Sequence, residues 1–160
     1  MDTARALYAA ELSSLPDDQV AAYLTARSNL PGPRSNLTLL DAAGDVLPAA
    51  LALRFADADD EYLACCGVVT LGRLILADPA DASVMALLTA RADDGRWRVR
   101  EAAAMAAQRV GDDRPDVLRD LVAGWVASPA PLVVRAGIAA LCEPRLLADP
   151  ATAAAAIAAC

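Results

Sequence analysis

The stretch WRVREAAAMAAQRV, Trp97 to Val110, decides how this chain folds. Val99, Ala102, Ala103 and Ala106 recur at helical spacing and form one buried stripe, while Arg96 and Arg100 share a second face and Arg98 points away. Its Val99-Arg100 pair returns thirty-five residues later as Val134-Arg135, opening another alanine-rich helical segment, Leu132 to Cys142. Two helical stretches in a period of this length are what stacked helix pairs produce, because one pair cannot bury its apolar face alone.

Outward from that stretch, Asp, Pro and Gly punctuate the chain. Helices are predicted over residues 3–15, 17–27, 36–43, 46–56, 62–77, 82–92 and 96–110, with three more ending near Ser128, near Cys142 and at Cys160. Gly44 closes the third and Pro48 sits in the first turn of the fourth. Between the second and third lies the longest break, residues 28–36, where Pro31 and Pro33 fix φ and Gly32 permits a left-handed turn; it reads as an ordered connector. No segment is left for a strand. The expectation is one all-α domain over residues 1–160, a right-handed α-solenoid of about five helix pairs. The last helix has no polar cap, so an open apolar face and further repeats beyond Cys160 are expected.

Composition agrees with closely approaching helices: alanine supplies about a quarter of the residues, aromatics 4%, and hydrophobic residues 57% against 22% charged. Arg73 interrupts the apolar run from Tyr62 to Ala77, so no stretch reaches the length of a membrane span. Met1-Asp2-Thr3-Ala4-Arg5 lacks the basic start and apolar core of a secretory signal, and a cytoplasmic location follows as the expectation. A formal charge of −7 disfavours general attraction to nucleic acid or anionic lipid.

Catalytic equipment is sparse. There is no His, no Gly-x-Ser-x-Gly elbow and no phosphate-cradling glycine loop. Asp57, Asp59, Asp60, Asp93, Asp94, Asp112 and Asp113 lie in expected turns before helices, where capping accounts for them. Cys65 and Cys66 are adjacent on a helix, where successive side chains diverge by about 100° and cannot chelate one ion, and Cys142 and Cys160 add no C-x-x-C spacing. The cysteines read as small core residues, and no catalytic residue, metal or cofactor is predicted.

Registered on the Val-Arg pairs, the chain resembles HEAT repeats, whose second helix carries Asp at its start and a basic residue six positions later; Asp94 and Arg100 match. That resemblance implies a ladder in which Arg100 sits over the carboxylate and backbone acceptors of the inter-helix turn. Leu30-Pro-Gly-Pro-Arg34 with Asn36-Leu37 is similar to a group of uncharacterised bacterial HEAT-repeat proteins, a resemblance that implies no activity. Trp97-Arg98-Val99-Arg100 also resembles the Trp-x-x-Arg helix of bacterial DNA alkylation-repeat glycosylases, which implies a phosphate-binding position for Arg100. In that register an aromatic facing DNA falls on Ala139, and an aromatic-x-x-x-Asp pair falls on Tyr62 and Cys66. The carboxylate that would stabilise a cationic sugar is thus missing, and the resemblance implies DNA binding with weakened or lost glycosylase activity.

The expected function is a non-catalytic scaffold that binds a protein or peptide on its concave face, with Tyr62, Arg73, Arg96, Trp97, Arg100 and Arg135 as the candidate contacts. DNA binding or repair is the alternative. For the arginines around Trp97 two readings stand: an anion contact at a helix N-terminus, or Arg100 in the repeat ladder with Trp97 packed over the turn.

Overall fold

The computed structural model describes residues 3–160. Among them the chain forms ten α-helices and no strand: α1 Thr3–Ser14, α2 Asp17–Ala26, α3 Leu37–Val46, α4 Ala49–Ala56, α5 Glu61–Ala77, α6 Ala82–Ala92, α7 Trp97–Asp113, α8 Pro115–Val126, α9 Pro131–Leu141 and α10 Pro150–Ala159, with one 3₁₀ turn at Leu146–Ala148. None of these helices is long and apolar enough to cross a membrane.

Side-chain caps start several of them. Asn36 Oδ1 accepts from the Leu39 amide, Asp81 Oδ1 from Ser83 and Val84, and Asp149 Oδ2 from Thr152, each satisfying amides that the first turn leaves without carbonyl partners. Pro115, Pro131 and Pro150 occupy first helical positions, where the missing N–H costs nothing.

Two expected boundaries move. Gly44 does not close α3 and Gly111 does not follow α7; both glycines are buried inside helices that run on to Val46 and Asp113. Proline sets these ends instead. Leu47 before Pro48 takes ψ 132°, and Arg114 before Pro115 takes φ −134°, the extended backbone that a following proline ring imposes. A helical glycine costs only about 1 kcal/mol and a proline about 3, so packing overrides the first and not the second. Asp112 and Asp113 therefore lie in the last turn of α7 rather than ahead of α8. Pro48 precedes α4 instead of sitting in its first turn.

The chain divides into two compact units, one ending at Leu71 and one spanning Gly72–Cys160. In the first, α1 lies against α3, and Arg5 grips Asp45 through Nε and Nη2, both at 2.7 Å. Helix α5 meets α4 backbone to backbone at Gly67, where an added Cβ would lie 2.2 Å from the Ala56 nitrogen and 2.6 Å from the Ala52 oxygen. The connector 28–36 is ordered by hydrogen bonds: buried Ser28 donates from Oγ to Thr25 O and accepts from the Leu30 amide, while its carbonyl accepts from the Asn36 amide. Its left-handed residue is Asn29, at φ 63°, and not Gly32. An Asn tolerates that conformation better than other residues with a Cβ.

In the second unit α7 packs on α6, α8 and α9, and α10 packs on α8 and α9. The predicted stripe is in place: Val99, Ala102, Ala103 and Ala106 are all buried. Polar bonds between helices two apart in the chain recur at similar sequence offsets. Trp125 Nε1 donates to Thr89 Oγ1 at 2.8 Å across 36 residues, Arg135 Nη2 to Glu101 at 2.7 Å across 34, and Gln108 Nε2 to Ala139 O at 3.2 Å across 31. Arg119 to Asp149 spans 30 residues at 2.7 Å. Small side chains permit the close approach: a Cβ on Gly72 would sit 2.5 Å from the Ala106 oxygen.

Candidate interaction surface at the α6–α7 turn

The turn joining α6 to α7, residues 93–96, is built around one carboxylate. Asp94 accepts Arg96 Nε on Oδ1 and Arg96 Nη2 on Oδ2, both at 2.9 Å, together with the Arg96 amide on Oδ1 at 2.9 Å. Arg91, from the last turn of α6, adds Nη1 to Oδ2 at 3.3 Å. With its side chain 8% exposed, Asp94 feels these partners through little water, and Arg96 above all lowers its pKa to about 2. Arg100 closes the turn from the other side, Nη1 donating to Asp94 O at 2.7 Å and Gly95 O at 3.1 Å.

The expected pairing of Asp94 with Arg100 thus takes a different form. Arg100 binds the backbone acceptors of its own turn, and the carboxylate belongs to Arg96 and Arg91. Two forks fit one carboxylate when they approach along different lone-pair directions, and the two residues nearest in chain reach it at the lowest entropic cost. Arg91 was not singled out in the sequence, although its position three residues before Asp94 on a helix end was the available signal.

Trp97, the first residue of α7, is 53% exposed and does not pack into the turn. The Arg98 guanidinium stands over its ring, 4.6 Å from the centroid, so a flat aromatic and a cation form one exposed shelf. The N-cap residue Arg96 offers α7 no side-chain acceptor, which leaves the positive end of the helix dipole beside the shelf.

The other candidates fall in different places. Arg135 lies on the neighbouring α9 and binds Glu101, one residue from Arg100, in a pair that is exposed on both sides. Arg73 is adjacent to Gly72, which abuts Ala106; on α7 that is six residues beyond Arg100, about 9 Å of helical rise away. Tyr62 belongs to the first unit and is 2% exposed, so it presents no contact surface. Its hydroxyl donates to Asn36 O at 2.6 Å, and burial pushes its pKa far up. An aromatic at helical spacing can face in or out; here the connector supplied an acceptor and the ring became core.

Asn36 is the residue the sequence reading passed over. Besides capping α3 and accepting from Tyr62, it donates from Nδ2 to Arg27 O at 3.0 Å and to the Tyr8 hydroxyl at 3.3 Å, tying the connector to α1, α3 and α5. Each unit has a hollow of its own. One of about 200 Å³ in the first unit is lined by Leu12, Leu15, Val20, Val46 and Leu47, and one of about 210 Å³ in the second by Val122, Val126, Leu141, Ala155 and Ala158, with Arg119 at its rim.

Among the described residues no three of Cys, Asp and Glu converge as metal ligands. Cys65 and Cys66 are buried and Cys142 and Cys160 are exposed, so the core reading holds for the first two alone. The expected capping role holds for Asp60, which accepts from the Leu63 amide at 2.9 Å, whereas Asp112 pairs with Arg145 at 2.7 Å. Comparison of the chain with protein-family models, with curated proteins and with solved structures gives no match.

Proposed function

We propose that this chain is a non-catalytic interaction scaffold, a right-handed α-solenoid of about five HEAT-like helix pairs that engages a protein or peptide through the surface around Trp97. The observation that carries the reading is the exposed Trp97 ring, with the Arg98 guanidinium standing over it. Aromatic and Arg side chains dominate the energetics of protein interfaces, because each removes a large flat surface from water at low conformational cost. The similar offsets of the polar bonds in the second unit support stacking of like helix pairs.

Nucleic acid is the competing partner, and local pairing speaks against it. Arg96 is bound to Asp94, Arg100 to two carbonyls and Arg135 to Glu101, so a phosphate would have to displace existing partners on a chain of net charge −7. An apolar side chain of a protein or peptide needs only the exposed Trp97 ring.

Affinity capture with the wild-type chain and with a Trp97→Ala, Arg98→Glu variant tests the reading. Partners that use the shelf are lost from the variant, and identical recovery from both overturns it. Titration with duplex DNA at low and high salt tests the alternative: tight binding that weakens steeply with salt would favour it over the scaffold.

A further inference from the structure

The chain contains one Asp-Gly pair, Asp94-Gly95, and no Asn-Gly. Asp-Gly is the pair in which an aspartate rearranges most readily, because the following glycine has no Cβ to hinder attack of its own amide nitrogen on the side-chain carboxyl carbon. Gly95 is exposed and nothing lies within 4 Å of where its Cβ would be, so water reaches the bond and no neighbour blocks it. We propose that Asp94-Gly95 is a latent modification site, a point of succinimide formation and conversion to isoaspartate that the arginine clamp on the Asp94 carboxylate holds shut.

The attack asks two things of the carboxyl group: freedom to turn its carbon onto the Gly95 nitrogen, and a proton, since the neutral acid can release its hydroxyl as water and the carboxylate cannot. The turn opposes both. Arg96 fastens Oδ1 from Nε and from its amide and Oδ2 from Nη2, each at 2.9 Å, and Arg91 Nη1 adds a bond to Oδ2 at 3.3 Å, so rotation of the carboxylate breaks charge-assisted bonds on both oxygens. With the side chain 8% exposed, little water is at hand to replace them. Arg96 above all also holds the pKa at about 2 against an ordinary 3.8, which lowers the neutral fraction near pH 7 roughly fiftyfold.

In the rearrangement the Gly95 nitrogen bonds to the Asp94 side-chain carboxyl carbon, the amide proton and the carboxyl hydroxyl leave as water, and a five-membered succinimide ring forms. Water then opens the ring at either carbonyl. Opening at the former side-chain carbon restores aspartate; opening at the former main-chain carbon leaves isoaspartate, of unchanged mass, with water as the one co-reactant and no oxidant consumed. The main chain becomes one carbon longer and the two acceptors exchange places. The carboxylate that Arg96 and Arg91 bind becomes an amide carbonyl, and the main-chain oxygen that Arg100 binds at 2.7 Å becomes part of a carboxylate. Conversion therefore dismantles the clamp at the turn that precedes Trp97.

Peptide mapping of the full chain tests this. Folded wild type, wild type unfolded in guanidinium chloride and a folded Arg96→Gln variant are incubated side by side near neutral pH and then digested with trypsin, which releases Ala92–Arg96 from wild type and Ala92–Arg98 from the variant. Isoaspartate appears as a second chromatographic species of equal mass. Unfolded wild type should convert roughly fiftyfold faster than folded wild type, and folded Arg96→Gln should recover most of that difference. Arg96→Lys, which keeps the charge but not the fork, should lie between them, and it carries the comparison should the Gln variant lose its helical circular dichroism. Gly95→Ala, with open space for its methyl group and no positive φ, should suppress conversion in the unfolded chain. Equal rates in folded and unfolded wild type, or folded Arg96 variants no faster than wild type, would overturn the clamp. Conversion undiminished in Gly95→Ala would place the rearrangement at Asp93 and overturn the site.

Discussion

In the first unit the long-range polar bonds gather on the connector: Tyr62 reaches Asn36 across 26 residues, and Asn36 reaches Tyr8 across 28. Those between α6 and α10 instead run from helix to helix at offsets of 30 to 36 residues with no shared residue among the α6–α8 and α7–α9 links. The contrast follows from the connections. Where turns of at most four residues join α6 through α9, each lateral bond links its own pair of helices. Where a nine-residue connector intervenes, one half-buried amide, Asn36, bonds to several elements at once.

The most severe way to break either unit is to thicken a helix crossing. Gly67→Ala places a methyl group against α4 backbone that has no flexible side chain to yield, and a loss of about 3 kcal/mol is expected. Urea denaturation measures it, and Gly95→Ala, with nothing within 4 Å, is the control expected to stay near wild type. A small loss at Gly67 would mean that the α4–α5 crossing is looser than the geometry described above.

Next comes the hub. Asn36→Ala removes the α3 cap and the donors to Arg27 O and Tyr8 while leaving the carbonyl that receives Tyr62, and should cost about 2 kcal/mol. Amide exchange should accelerate in the connector and in α3, with the helices of the second unit unaffected. Acceleration spread evenly over both units would erase the distinction drawn between them.

A comparable amount is expected from pH in the second unit. The native pKa of Asp94, about 2, lies below its ordinary value of 3.8, so its stabilisation is complete above about pH 4 and is lost as pH falls from about 4 to 2. That difference corresponds to about 2 kcal/mol. Asp94→Asn should flatten this part of the stability–pH curve by that amount; equal slopes in wild type and variant would show that the turn does not depend on the charge.

Smallest of all is Arg135→Ala. Its bond to Glu101 carries the repeat offset, but side-chain exposures of 56% and 41% leave it screened, and a change of about 0.5 kcal/mol or less is expected by double-mutant cycle.

Much of the fold was legible because its signals are local. Proline at helix starts, Asn or Asp at caps and apolar residues at helical spacing located every helix; the ends assigned to Gly44 and Gly111 shifted because a packed helix can absorb a glycine, and the start of α4 moved past Pro48. The candidate site was legible only in part. Arg96, Trp97 and Arg100 do gather at one turn, yet which arginine holds Asp94 depends on a third, Arg91, arriving from the preceding helix. Tyr62 and Arg73 shared a helix with the right residue types, but their surroundings come from other parts of the chain.

The sequence by itself determined an all-α chain and the approximate positions of its helices, since helical periodicity and turn chemistry act over a few neighbouring residues. Tertiary structure alone decided that Tyr62 is core, that Trp97 is open to solvent, that Asn36 joins three helices and that Cys142 and Cys160 are exposed. Those outcomes depend on which distant surfaces come within a few ångströms, and burial and pairing are set by that juxtaposition rather than by spacing along the chain.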